Sequence, residues 1–131
     1  MTKRQIDALA RFLPVFRKPG YRFARQMPPR VKGGVVYLQP LRYSREVNAF
    51  LSALYREKVV LTFDWVSWQS AGQAYLRPSN IARAKLPTLQ RLLTLHARKE
   101  RFCEGHLGEM LSRGHIQRIL ARLLELRPVA Q

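Results

Sequence analysis

Apolar residues recur at three- and four-residue spacing along most of this 131-residue chain, and prolines or glycines cut the pattern into short pieces. A chain so patterned folds by packing short amphipathic helices together, because each stripe must bury itself against another. Ile6, Leu9, Leu13 and Phe16 predict a first helix that Pro14 ends or bends. Ser44 is a good N-cap for a second, whose stripe is Val47, Phe50, Leu51, Leu54 and Tyr55. Val59–Leu61 reads as a brief strand or an extended lead-in. Asp64 caps a third helix bearing Trp65, Trp68, Ala71 and Tyr75, with both tryptophans expected in the core, before Arg77-Pro78 stops it. Pro87 suits a helix start, and Leu89, Leu92, Leu93 and His96 line the buried face behind it. A turn near Cys103–Gly105 leads to Leu107, Met110 and Leu111. Gly114 terminates that segment, and Ile116, Ile119, Leu120, Leu123 and Leu124 form the last stripe.

From Arg17 to Tyr43 the pattern changes. Pro19-Gly20, Pro28-Pro29 and Gly33-Gly34 punctuate it, while Tyr21-Arg22-Phe23 and Val35-Val36-Tyr37-Leu38 have the content of short strands, a small hairpin of unspecified register. The expected fold is mainly α, of α+β type: about five helices and a small N-terminal β-hairpin in a single domain over 1–131. Residues 1–45 form its basic helix and hairpin, and 46–131 its helical core. No apolar run approaches the ~20 residues of a membrane span, and Asp7 and Arg11 interrupt any signal core after Lys3 and Arg4. One cysteine cannot form an internal disulfide, so a reducing cytoplasm and no membrane partner are expected.

Charge is the strongest pointer to a partner. The chain has 24 Lys and Arg against 8 Asp and Glu, a net +16. Residues 1–45 hold eleven cations against Asp7 alone, 46–76 two against three, and 77–131 eleven against four. Eighteen of the cations are Arg, whose planar fork pairs with phosphate and stacks on bases. The excess is far beyond the ~2–8 charges that solubility asks for, and it points to a polyanion. Arg17, Lys18, Arg22, Arg25, Arg30, Lys32 and Arg42 interleave with Tyr21, Phe23, Tyr37 and Tyr43, which suits phosphates and stacked bases. An equal reading turns the rings to the core and leaves the cations as a basic landing surface. Arg91, Arg98, Lys99, Arg113, Arg118 and Arg122 make a second candidate surface.

All three histidines, the only cysteine and Glu104 fall between 96 and 115. Cys103 and His106 have C-x-x-H spacing, but metal sites pair two ligand clusters, so no metal is expected. Glu104 orienting His106 would make an acid–base pair for a hydrolase or transferase. The competing account is a structural network of His96, Arg101, Glu104, His106 and His115 at a helix junction. Cys103 reads as a small core hydrophobe. No glycine-rich phosphate loop occurs, which removes the common nucleotide-dependent motors and dehydrogenases, and no cofactor is implied.

Leu92-Leu93-Thr94, His96, Arg98 and Arg101-Phe102-Cys103-Glu104-Gly105-His106-Leu107, followed by Gly114-His115-Ile116, Ile119-Leu120 and Arg122-Leu123, resemble the signature LLTxHxRxxRFxEGHL…GHIxxILxRL. That signature marks a bacterial domain family with no assigned reaction, cofactor or partner. The resemblance covers most of the chain, implies a single bacterial domain and marks Arg101, Glu104, His106 and His115 as motif positions. Charge and motif together lead to the expectation of a nucleic-acid-binding accessory protein, RNA- or DNA-directed, of bacterial or mobile-element origin, holding phosphates with little base specificity. The alternatives are a small basic subunit of a nucleoprotein complex, a protein-binding inhibitor, and the enzyme built on Glu104 and His106.

Overall fold

The structure, a computed structural model, describes residues Met1–Gln131. Thr2 opens α1 (Lys3–Ala10): its hydroxyl accepts the Gln5 N–H, and the Gln5 side chain accepts the Thr2 N–H in return. Pro14 cannot continue a helix, so α1 ends and Pro14 lies in a separate single turn, α2 (Leu13–Phe16). Ser44 caps α3 (Arg45–Arg56) through the Val47 N–H, and Asp64 caps α4 (Trp65–Gln73) through the Ser67 N–H. α4 ends at Gln73, before Arg77-Pro78, and tightens into a 3-10 turn over Ala74–Leu76 that carries Tyr75, and Pro78 begins another single turn, α5 (Pro78–Ile81). Pro87 sits in the first turn of α6 (Leu86–Glu100), followed by α7 (His106–Ser112) and α8 (His115–Leu126). Six helices of seven residues or more and two single turns thus replace the expected five. The proline-led turns, four residues each, are too short to show a period.

A cluster of 23 buried apolar residues runs from Ile6 on α1 to Leu123 on α8. The central helix is α6, in which Leu92 through Ala97 are all buried. Val59–Leu61 forms no strand. It is an irregular segment whose Val59 and Val60 N–H groups return to the Leu54 carbonyl; it passes α6 with its Leu61 N–H donated to Thr94 Oγ1, while Thr94 donates its own proton to the Gln90 carbonyl one turn back. The tryptophans are half-buried rather than central: Trp65 lies against Phe102, which is 77% exposed, and Trp68 packs along Tyr75 at the edge of the core. Tyr55 and Leu124 likewise end at the exposed margins of their stripes. No helix is long and apolar enough to cross a membrane.

The β segment is a nested ribbon. β1 (Ala24–Gln26) pairs antiparallel with β4 (Leu41–Tyr43), and β2 (Arg30–Lys32) with β3 (Val35–Tyr37). Between β2 and β3 Gly33 and Gly34 adopt φ +60° and +76°, the two left-handed positions of a tight hairpin turn. Pro28, Pro29 and Pro40 lack the N–H a ladder needs, so the pairing breaks between the two halves. Side chains bridge that break: Gln26 donates to the Gln39 carbonyl at 2.9 Å and Gln39 to the Pro28 carbonyl at 2.7 Å. Tyr21 and Phe23, expected on a strand, instead lie extended against Phe16 at ring separations of 6.4 and 6.0 Å. Every residue from 30 to 38 is exposed, so the outer ribbon has solvent on both faces.

Candidate functional site

Two Gly-His pairs build the site. Gly105 and Gly114 take φ +89° and +74°, conformations that L side chains resist, and each directly precedes a helix. His106 and His115 are therefore the first residues of α7 and α8, and both turn back onto His96 of α6. His96 Nδ1 lies 2.9 Å from His106 Nε2, and His96 Nε2 lies 3.0 Å from His115 Nε2. The nitrogens pair off along a chain and do not converge on one point, and no group of His, Cys, Asp or Glu could hold a metal ion.

The chain constrains its own protons. A neutral imidazole donates from one nitrogen and accepts at the other. If His115 Nε2–H donates to His96 and His96 Nδ1–H donates to His106, the buried, unpartnered His115 Nδ1 is a bare lone pair. The reverse order would leave a buried N–H without an acceptor, the costlier orphan. In the favoured order His106 keeps its proton on Nδ1, which has no protein partner and is not sealed from solvent. Burial holds all three rings neutral: it pushes His115 down to about 4, His96 well below 6.5, and His106 down as well, with nearby cations adding to the effect.

The remaining motif residues lie apart from this chain. Glu104 points to the ribbon, where its carboxylate accepts the Leu41 N–H, and it makes no hydrogen bond to His106. Arg101 is exposed at the end of α6, and Cys103 is exposed in the next turn rather than in the core, because the chain there runs along the surface between helices. The carboxylate at the junction is Glu100, which the sequence did not single out. It accepts the Leu107 N–H at 2.8 Å, the Gly105 N–H at 3.3 Å and the Tyr43 hydroxyl. Tyr43 in turn accepts the Gly108 N–H at 3.1 Å, and a Cβ on Gly108 would come within 2.9 Å of its ring. Burial and Glu100 push the Tyr43 phenol well above its ordinary value, so it stays protonated. These bonds join β4 to α6 and α7 across 57 and 65 residues of sequence, and no local pattern signals them.

The histidine chain opens into a cleft of about 230 Å³ between α4, α6 and α7, where His106 and His96 meet Lys99, Glu109, Arg113, Gln69 and Gln73. Across α7 lies a second, wider depression of about 640 Å³ lined by Arg22, Arg25, Gln26 and Leu41 of the ribbon's root together with Gly105, Gly108 and Ser112. Glu109 lines both.

The two sets of cations differ. Arg17, Lys18, Arg22, Arg25, Arg30, Lys32 and Arg42 are all exposed, and none takes part in an ion pair. Arg25 and Arg42 face each other directly across β1 and β4. The second set is spread over α6, α8 and the intervening turn and is largely engaged. Arg113 pairs with Glu109, Arg122 pairs with Glu125 and donates to the Ala84 carbonyl, and Arg118 donates to the Arg113 carbonyl. Arg91 lies over Phe63 and Arg98 over Tyr55. Of the rings, Tyr21, Phe23 and Tyr43 pack against the core and Tyr37 stays in solvent, so the two readings of that alternation divide by residue.

No curated protein and no solved structure matches the chain. A family model does, over residues 1–129, from Thr2's cap through the ribbon to the end of α8. The Gly-His turns and the helices they join therefore lie inside one family-wide unit, and the chain belongs to DUF6508, a family of unknown function.

Proposed function

We propose that this protein binds nucleic acid through phosphate contacts made by its ribbon and the segment leading into it. The observation that carries the reading is the Arg25–Arg42 pair. Like charges directly opposed on an antiparallel pair destabilise it, and neither arginine forms an ion pair. A bound phosphate would turn that cost into two charge-assisted hydrogen bonds. Arg22 lines the same depression as Arg25 and Arg42, and Arg30 and Lys32 extend the cationic track to the tip. Backbone contacts of this kind carry little base specificity.

The test is a salt titration of binding to a generic oligonucleotide. With all seven cations engaged, log K falls against log salt with a slope of about −6 on duplex and about −5 on single strand. Replacing Arg25 and Arg42 by Gln reduces that slope by about 1.5–2. Affinity that does not change between 50 and 200 mM salt refutes the reading.

One observation favours a second reading, a basic subunit of a nucleoprotein assembly. The outer ribbon and the residue that follows it leave Val31 71%, Val36 60% and Leu38 87% exposed, apolar surface that a protein neighbour would cover. Under this reading the isolated chain binds naked oligonucleotide weakly and gains affinity only with the partner present.

A further inference from the structure

We propose that the cleft between α4, α6 and α7 is a binding site for a phosphate monoester, held by His106, Lys99 and Arg113. Three kinds of donor meet there. His106 lines the cleft, and the order of the histidine chain, with inner bonds at 2.9 and 3.0 Å, leaves its Nδ1–H without a protein partner and open to solvent. The Lys99 ammonium forms no ion pair and lies near enough to His96 and His106 for its charge to disfavour their protonation. Arg113 spends one terminal nitrogen on Glu109 at 2.8 Å and keeps its other N–H groups.

The ligand follows from this donor set. A carboxylate offers two oxygens, whereas a phosphate monoester offers three terminal ones to three donors, with the Gln69 and Gln73 side-chain amides on the opposite wall for the rest of the molecule. Glu109 supplies the one negative charge in the cleft, and Arg113 already compensates it. Lys99 remains as the uncompensated charge that a phosphate would neutralise. Because a neutral imidazole donates here, His106 needs no added proton to hold the anion. His96 and His115 are positioning residues that fix which of its nitrogens is protonated.

Such a phosphate has two sources, a free mononucleotide or the terminal phosphate of a strand. The site stands apart from the ribbon, across α7 from it, so it can bind whether or not the ribbon does. The experiment follows the imidazole signals of His106 by NMR in the intact protein, with AMP, adenosine, and a short oligonucleotide bearing a 5′-phosphate or a 5′-hydroxyl. AMP is expected to shift the His106 signals saturably and adenosine not to. Lys99→Ala, at a partly exposed position outside the apolar core, lowers AMP affinity about tenfold. In the Arg25→Gln, Arg42→Gln variant, where the ribbon contributes less, a His106 response that saturates at lower concentrations of the 5′-phosphorylated oligonucleotide than of AMP, and not with the 5′-hydroxyl strand, assigns the site to strand ends, and equal or weaker binding assigns it to mononucleotides. Absence of any shift with both phosphate-bearing probes overturns the proposal, as do equal shifts from the 5′-hydroxyl strand or an unchanged affinity in Lys99→Ala. The Arg25→Gln, Arg42→Gln double variant separates this site from the ribbon: it weakens salt-dependent oligonucleotide binding and leaves the AMP response of His106 intact.

Discussion

At the scale of single residues, the histidines show what a short motif discloses. The repeated Gly-His pairing is visible in the sequence, and a left-handed glycine before a helix is its physical content. Which carboxylate serves the junction is not visible. Glu104 precedes Gly105 and leaves toward the ribbon, whereas Glu100, on the last turn of α6, lies beneath the α7 N-terminus and accepts its amides. The imidazoles themselves have a measurable consequence. An unfolded histidine takes up a proton near 6.5, and His115 in the folded chain does so only near 4. Between those values the unfolded chain binds the proton and the folded chain excludes it, so the stabilisation is complete above about 6.5 and falls away as pH drops toward 4. Asp7 and Asp64 are held below their ordinary 3.8 and act under that window. Thermal melts from pH 7 to 4.5 should therefore show Tm falling, with a shallower fall in His115→Leu. The His115 ring signal should keep its neutral-form position until pH approaches 4, and titration near 6.5 would contradict the buried, uncharged chain.

At the scale of elements, helices were legible where they carried both a stripe and a cap. Ser44, Asp64 and Pro87 mark three starts correctly because capping is local chemistry. The ribbon was half legible. Tyr21 and Phe23 alternate as a strand does, but an extended segment laid on an aromatic cluster shows the same alternation without a ladder. The true inner strands, Ala24–Gln26 and Leu41–Tyr43, contain no β-branched residue and are held by their pairing with each other and by the bond from Glu104. The Gly33-Gly34 turn is the element's own requirement. A Cβ at Gly34 meets nothing within 4 Å, so the cost of replacing it is conformational alone. Gly34→Val is expected to cost the outer ribbon about 1–2 kcal/mol. Residues 30–38 bury nothing, so that loss appears as faster amide exchange in β2 and β3 while the global Tm hardly moves. A global Tm lowered in step with the ribbon would mean that the arm supports the core.

At the scale of the whole molecule, the eight carboxylates explain why the charge excess gathers where it does. Asp7, Glu57, Glu109 and Glu125 pair with cations of the helical body. Asp64 caps α4, Glu100 and Glu104 accept backbone N–H groups, and Glu46 sits in the first turn of α3. Glu104 alone bonds within residues 17–42, and it accepts the Leu41 N–H rather than pairing with a cation, so the seven exposed cations there form no ion pair and repel one another at a cost to the free protein. Composition alone discloses the excess, but its concentration depends on where the fold sends each carboxylate. A single reversal tests the arrangement because its two effects have opposite sign. Arg25→Glu replaces an opposed like pair with an opposed ion pair to Arg42, and should stabilise the ligand-free inner ribbon by about 0.2–1 kcal/mol, read as slower amide exchange at Ala24–Gln26 and Leu41–Tyr43. The same change removes a phosphate contact and places a negative charge in its stead, so oligonucleotide affinity falls and its salt slope flattens by about one contact or more. A variant that gained stability and kept its affinity would show that the opposed arginines serve no phosphate.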